Sequence, residues 1–293
     1  MKNIKEKQAI NVISVENMRL SDLSTIQGGI PSLTLMKNAA KGILNSAHWN
    51  GTISIVAGSG NNGGDGFALA CELSDIGIPS TIFALSDNVS TDSDFYKKAA
   101  LQKNIPIHKI DTCATDFFKN SDIIVDCIFG TGFHGEVKGL AFEVILAIND
   151  SGAYVISADI NSGVNGDTGI AITAVKSDLT VSIGQVKNGF FIGDAPKYIG
   201  SLINAYIGIE PQKKENYMIS KDDFALKYNE LKYGELPITE YTEMPQETKS
   251  LAELTLLCKK TNSVISVKTE YTAFLADSST VWIQIPQNYL LPV

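Results

Sequence analysis

Arginine is almost missing from the 293-residue sequence: Arg19 stands alone among 24 basic residues, set against 32 acidic ones, for a formal net charge of −8. Such a surface suits no nucleic acid, because duplex binding needs clustered Lys and Arg and base readout most often uses Arg. Long apolar runs are absent too. No stretch reaches the ~18 apolar residues of a membrane span, so no membrane association is expected. The opening MKNIKEKQAINVIS lacks the apolar core of a signal peptide. Cysteine is scarce: Cys71, Cys113, Cys127 and Cys258 are widely spaced with no CxxC pair, which argues against zinc or thiol redox chemistry and for a reduced, cytoplasmic setting. Glycine gives out towards the end. All but one of the 24 fall between Gly28 and Gly208, and Gly234 is alone in the last 82 residues. Two kinds of chain therefore meet near residue 211, an expected domain over 1–211 and a linker with a small appendage over 212–293.

What is present is an alternation of strands and helices. Residues 52–57 (TISIVA), 80–85 (STIFAL), 122–129 (DIIVDCIF), 153–158 (AYVISA) and 178–183 (DLTVSI) are short β-branched runs. Their continuous apolar character suits central strands covered on both faces. Leu69, Leu73 and Ile76 recur at helical spacing, and helices are expected over 33–48, 92–104 and 140–151. Strand–helix–strand repetition implies parallel pairing through right-handed crossovers. The expected fold is α/β, a Rossmann-like three-layer αβα sandwich with a mainly parallel sheet and a small C-terminal α+β appendage. The polar segment 211–246 reads as a loose connection. Beyond it a helix over 251–260, a strand over 263–267 and a hairpin of 272–276 with 280–285 are expected.

The informative stretch is ISIVAGSGNNGGDGFALACE, residues 53–72. A strand runs into five glycines within nine residues and a helix leaves them, an arrangement that lets backbone approach a ligand and offers free amides to a phosphate. Gly58, Gly60 and Gly63 match GxGxxG, and Asp87 lies near the end of the next strand. That match alone is weak, since a glycine turn can also serve strand-to-helix packing. Two more polar, glycine-bearing loops follow later strands: DCIFGTGFHGEVKG from Asp126 and DINSGVNGDTG from Asp159. A carboxylate in an apolar strand, as at Asp126, needs a partner or a cation. Because strand ends of an open α/β sheet converge on one crevice, Asn61, Asn62, Asp126, Gly130, Thr131, Gly132, Asp159 and Ser162 are expected around a common ligand.

These three loops, with GGIPSLTLMKNAA (28–40) and the segment 177–209, resemble the YjeF N-terminal domain family of NAD(P)H-hydrate epimerases over about residues 8–210. The resemblance implies repair of hydrated NADH and NADPH by interconversion of their R and S forms. It further implies that Asn61, Asn62, Gly63, Gly64 and Asp65 line the substrate site with Gly130, Thr131, Gly132, Phe133, His134, Gly135 and Glu136. Asp159 is then the catalytic residue in contact with substrate. Asn62, Asp126 and Ser162 are implied ligands of K+, and a homodimer is the implied state. Amide, carboxylate and hydroxyl oxygens are hard donors suited to such an ion. Lys37 stands where the family usually has glutamate, Ala40 where it has glycine and Asn161 where it has proline; Asn161 is expected to loosen the loop that holds Asp159 and Ser162.

Other residues have plainer expected roles. His134 is expected as an exposed loop histidine, His48 and His108 as structural, and Lys138 and Lys187 as solvated lysines, with pairing to cofactor phosphates as the alternative for both. Cys71 and Cys127 are expected to be buried. Residues 249–285 faintly resemble part of a hydrate dehydratase domain, with an unrelated capping tail as the alternative; without a Gly-Thr-Gly-Asp phosphate loop no dehydratase activity is expected. Two rival functions remain at this point: a non-catalytic YjeF-type nucleotide-binding scaffold, and an NAD-dependent oxidoreductase resting on GxGxxG alone.

Overall fold

A computed structural model describes residues 9–112 and 116–290, and Cys113 lies outside them. In chain order the elements begin with β1 (Ile10–Ile13), α1 (Val15–Gln27), α2 (Ser32–Asn45), β2 (Ile53–Ala57) and α3 (Asn61–Asp75). Next come β3 (Thr81–Ala84), α4 (Thr91–Gln102), β4 (Ile107–Lys109), β5 (Ile123–Cys127), α5 (Leu140–Asn149) and β6 (Tyr154–Ala158). β7 (Ser177–Ile183), β8 (Val186–Lys187) and β9 (Ile199–Ala205) follow. The remainder holds β10 (Asn216–Ile219), α6 (Lys221–Lys232), β11 (Ile238–Tyr241), α7 (Leu251–Thr261), β12 (Val264–Lys268), β13 (Ala273–Ala276), β14 (Val281–Gln284) and β15 (Tyr289–Leu290). No helix among the described residues is long and apolar enough to cross a membrane.

Eight strands form an all-parallel sheet in the order β15-β9-β7-β6-β5-β2-β3-β4. The five apolar runs are its centre, and both faces are covered, as continuous burial requires. Ile53, Ile55, Val125 and Ile156 turn to one face, where Leu35, Ile43, Phe67 and Leu73 of α2 and α3 pack on them. Val56, Ile124 and Val155 turn to the other, against Val144, Ile145 and Ile148 of α5. The register sets Asp126 of β5 between Val56 of β2 and Ser157 of β6, which puts one carboxylate in the middle of the sheet.

The C-terminal segment does not hang free. A second, mixed sheet runs β11-β12-β13-β14-β10-β1-β8, so β1 and β8 of the first region complete the sheet of the second. β15 returns to pair with β9 of the parallel sheet. One core joins Val12, Phe190 and Leu202 to Leu251, Leu254, Phe274 and Ile283. The hairpin forms as expected, with Ala276 opposite Val281. The polar stretch read as a loose connection carries β10 and α6 instead, because Met218 and Ile219 are buried strand positions and Ser220 accepts the Asp223 amide to cap the helix.

Candidate active site

The loops leaving β2, β5 and β6 meet α1 and α2 around a cavity of about 700 Å3. The first loop turns from β2 into α3 in very little space. A Cβ on Gly58 would lie 1.9 Å from the Ile128 carbonyl oxygen, and one on Gly63 would lie 2.1 Å from the Gly58 carbonyl oxygen, so only glycine fits. Gly60 begins α3 without any side-chain cap, which leaves the first amides of a fifteen-residue helix available to an anion. The Ser90 hydroxyl donates to Asn61 Oδ1 at 2.7 Å. Asn62 Nδ2 donates to the Phe129 carbonyl at 2.9 Å, while its Oδ1 is buried without a partner.

The Phe129 carbonyl that Asn62 holds also lies 3.3 Å from Ser162 Oγ, a member of a buried polar cluster. Asp126 is fully buried, and its carboxylate accepts the Ser162 hydroxyl (2.5 Å), the Ser162 amide (2.9 Å), the Ser157 hydroxyl (2.9 Å) and the Ile128 amide (3.2 Å). Burial still raises the carboxyl above its ordinary value, against the lowering effect of those donors. Ser162 Oγ also accepts the Phe129 amide at 2.8 Å.

Asp159 occupies an unusual backbone position at the end of β6. Its φ is +66°, and the Ile160 amide donates across it to the Ala158 carbonyl at 2.8 Å. This is a γ-turn of the rare, strained, positive-φ form. Asp159 Oδ1 accepts Lys187 Nζ at 2.5 Å and Oδ2 accepts the Thr131 amide at 3.3 Å. The Lys187 side chain is 0% exposed and also donates to the Ile183 carbonyl (2.7 Å) and the Ser182 hydroxyl (3.3 Å). Lys187 is therefore not the solvated lysine expected from the sequence; its ammonium sits under the site, and Asp159 is its counter-ion.

Two further acids reach the cavity. For Asp65, burial together with the charges of Asp159 and Asp22 pushes the carboxyl well above the ordinary range, and Lys187 opposes this. For Asp22, burial and then Asp92 raise it as well. Both acids line the cavity with Asp92.

Of the expected site residues, Asn61, Asn62, Asp65, Gly130, Thr131, Gly132, Phe133, His134 and Asp159 line the cavity. Gly63 and Gly64 are buried in the first turn of α3, and Gly64 abuts Met36 and Ser93. Gly135 and Glu136 are exposed beyond the lining, and Glu136 pairs with Lys138 at 3.3 Å. His134 is exposed, 3.4 Å from Asn165 Nδ2. Phe133 stacks on Phe129 with centroids 4.8 Å apart. Met18, Arg19, Asp22 and Asp92, which the motifs did not indicate, also line the cavity, with Leu35 and Met36 of the 28–40 motif.

The three departures lie outside the cavity lining. Lys37 pairs with Glu72 at 3.7 Å, and Ala40 is packed in the core. Asn161 tightens its loop, contrary to expectation. Its Nδ2 lies 2.9 Å from each of the Val175 carbonyl, the Ser177 hydroxyl and the Tyr198 carbonyl, and its Oδ1 accepts the Thr180 hydroxyl at 2.6 Å.

The chain is similar to known proteins of one family. Residues 32–189 match the family described as YjeF-related protein N-terminus. An NAD(P)H-hydrate epimerase of Limosilactobacillus reuteri is 36% identical over 203 residues, which cover 66% of this chain and 94% of that protein. A bifunctional NAD(P)H-hydrate repair enzyme of Methanothermobacter thermautotrophicus is 32% identical over 209 residues, 67% of this chain and 40% of that protein. The crystal structure of the yeast protein YNL200c shares the fold, with a TM-score of 0.55 and 19% identity over 65% of this chain and 84% of that one.

Proposed function

The chain belongs to the YjeF-related N-terminal family, and from that premise we propose that it is an isomerase that interconverts the R and S forms of hydrated NADH and NADPH. The observation that carries this reading is the meeting, in one cavity, of the uncapped α3 N-terminus with an Asp159 held by Lys187 and the Thr131 amide. The helix end suits the substrate's phosphates. Arg19, paired with Glu16 at 2.8 Å on the surface, lines the same cavity and adds positive charge to these amides. The reacting centre is the C6 hydroxyl of the hydrate, which stands beside the ring nitrogen as in a hemiaminal. The nitrogen lone pair expels it to leave a planar iminium, and water adds to either face. Asp159, in contact with this centre, takes part in the proton exchange that leaving and entering water require. Incubating one purified hydrate epimer with the protein and following both by chromatography tests the function. Equilibration above the uncatalysed rate is expected; an unchanged ratio would leave a binding scaffold.

The same reading makes Asn62, Asp126 and Ser162 the holders of a potassium ion. The fit rests on the unpartnered Asn62 Oδ1, the fully buried Asp126 carboxylate and an oxygen-only donor set. Such an ion would supply fixed positive charge beside the loops that bear the substrate. Thermal melts in KCl, NaCl and choline chloride should show a potassium-specific rise that Asn62→Ala removes, whereas equal melting in all three salts contradicts it. A cytoplasmic homodimer completes the proposal: the three described cysteines are free, which suits a reducing compartment, and sedimentation tests the dimer.

A further inference from the structure

An epimerisation through a planar intermediate has a geometric demand that one carboxylate does not meet. Water leaves from one face of the ring and arrives on the other, so a proton is given on one side and taken on the opposite side. The cavity holds two acids in contrasting surroundings. Asp159 comes from the end of β6 and is in a buried ion pair with Lys187. Asp65 comes from α3 and, among the described residues, accepts no hydrogen bond and forms no ion pair; its charged neighbours are Asp159, Lys187 and Asp22. Asp65 is half-buried, and desolvation followed by the Asp159 charge favours its protonated form. Between these elements lies Gly130, where a Cβ would come within 3.1 Å of Asp159 Oδ2 and 3.3 Å of Asn62 Cβ. The missing side chain leaves open the space between α3 and Asp159.

Resting on the epimerase reading, we propose that Asp65 is a second catalytic residue: it and Asp159 address opposite faces of the nicotinamide ring, one as acid while the other is base. In one direction the C6–O bond breaks as the nitrogen lone pair forms the C6=N1 bond, and the Asp65 carboxyl gives its proton to the departing hydroxide. A second water then bonds to C6 on the other face, the π pair returns to nitrogen and the released proton goes to the Asp159 carboxylate. One proton has passed from Asp65 to Asp159, no electrons have entered or left, and the other epimer reacts by the reverse sequence. Between turnovers in one direction, solvent at the open cavity carries the proton back. Groups whose surroundings push their protonation apart divide acid and base roles in this way.

The test is oxygen exchange in H2(18)O with each epimer, for the full chain and its Asp65→Asn and Asp159→Asn variants, with the uncatalysed exchange subtracted. The wild type should interconvert the epimers and wash label into both. Asp65→Asn should interconvert them at least about 100-fold more slowly, the low end of general acid–base contributions, yet still label one epimer through Asp159. Asp159→Asn should label the other epimer through Asp65. Near-wild-type interconversion by Asp65→Asn overturns the proposal, as does labelling of the same epimer, or of neither, by two variants whose circular dichroism and melting show them folded. Failure of the wild type to interconvert the epimers sinks the epimerase reading itself, so the two failures are distinguishable.

Discussion

The two regions of the molecule handle polar groups in opposite ways. In the parallel-sheet region, Asp126, Lys187, Asn161 and Ser162 are buried, Asp159 holds a positive φ and α3 begins without a side-chain cap. In the C-terminal unit the buried polar side chains are the neutral Asn216, Thr248, Ser263 and Thr272. Its helices α6 and α7 are closed by Ser220 and Ser250, each accepting an amide of the first turn. The two are fastened by a shared sheet and one core, so they differ in task and not in solidity. Buried charge is concentrated in the region that carries the cavity, as expected when stability is given up for a site.

Variants can sharpen that contrast, beginning with the largest expected effect. Lys187→Met leaves Asp159 without its counter-ion, and breaking a buried pair from one side typically costs about 3–5 kcal/mol. Urea titration should register a loss of that size, and one below about 1 kcal/mol would contradict the buried pair. Asn161→Pro restores the residue usual in the family but removes the contacts to Val175, Ser177, Thr180 and Tyr198 and leaves the buried Val175 carbonyl without its side-chain donor. It should lower stability by about 1–3 kcal/mol in the same assay, the range for unsatisfied buried polar groups.

Asp65→Asn should move stability the other way. A carboxyl raised in the folded state binds more protons folded than unfolded, so its destabilising effect is absent below the unfolded value of about 4 and grows as pH rises towards the folded one. The variant should therefore melt above the wild type at pH 8, with the difference shrinking towards pH 4. A pH-independent difference would contradict the raised carboxyl. Smallest is Ser250→Ala in the C-terminal unit, which removes a helix cap worth about 1 kcal/mol. Calorimetry should show that loss with an unchanged epimerisation rate, and a matching fall in rate would dissolve the distinction between the regions.

How far all this was legible from sequence depended on whether a residue's job was apolar. The five central strands and α2, α4 and α5 are apolar runs and periodicities, and they form within a few residues of expectation. α1 gave no such signal because the side chains it buries are polar: Asn17 bonds both backbone groups of Lys213, and Ser21 accepts the Gln212 amide. β1 and β10 were hidden because short strands depend on partners about 200 residues away, as in Ile10 opposite Met218. The cavity-lining part of the site was readable from its glycine and asparagine loops. Lys187 was not, since lysine is almost never fully buried without a partner and its partner is distant in sequence. Asn161 was misread for the same reason: its four partners lie 14 to 37 residues along the chain.

The central claim is that the carboxylate in the γ-turn at the end of β6 touches the reacting centre. Initial rates of conversion of one purified NADPH-hydrate epimer, measured side by side for the wild type and Asp159→Asn, test it most directly. A fall of about 10²–10⁴-fold in a variant that melts as a folded protein is predicted, whereas retention of the wild-type rate would contradict it.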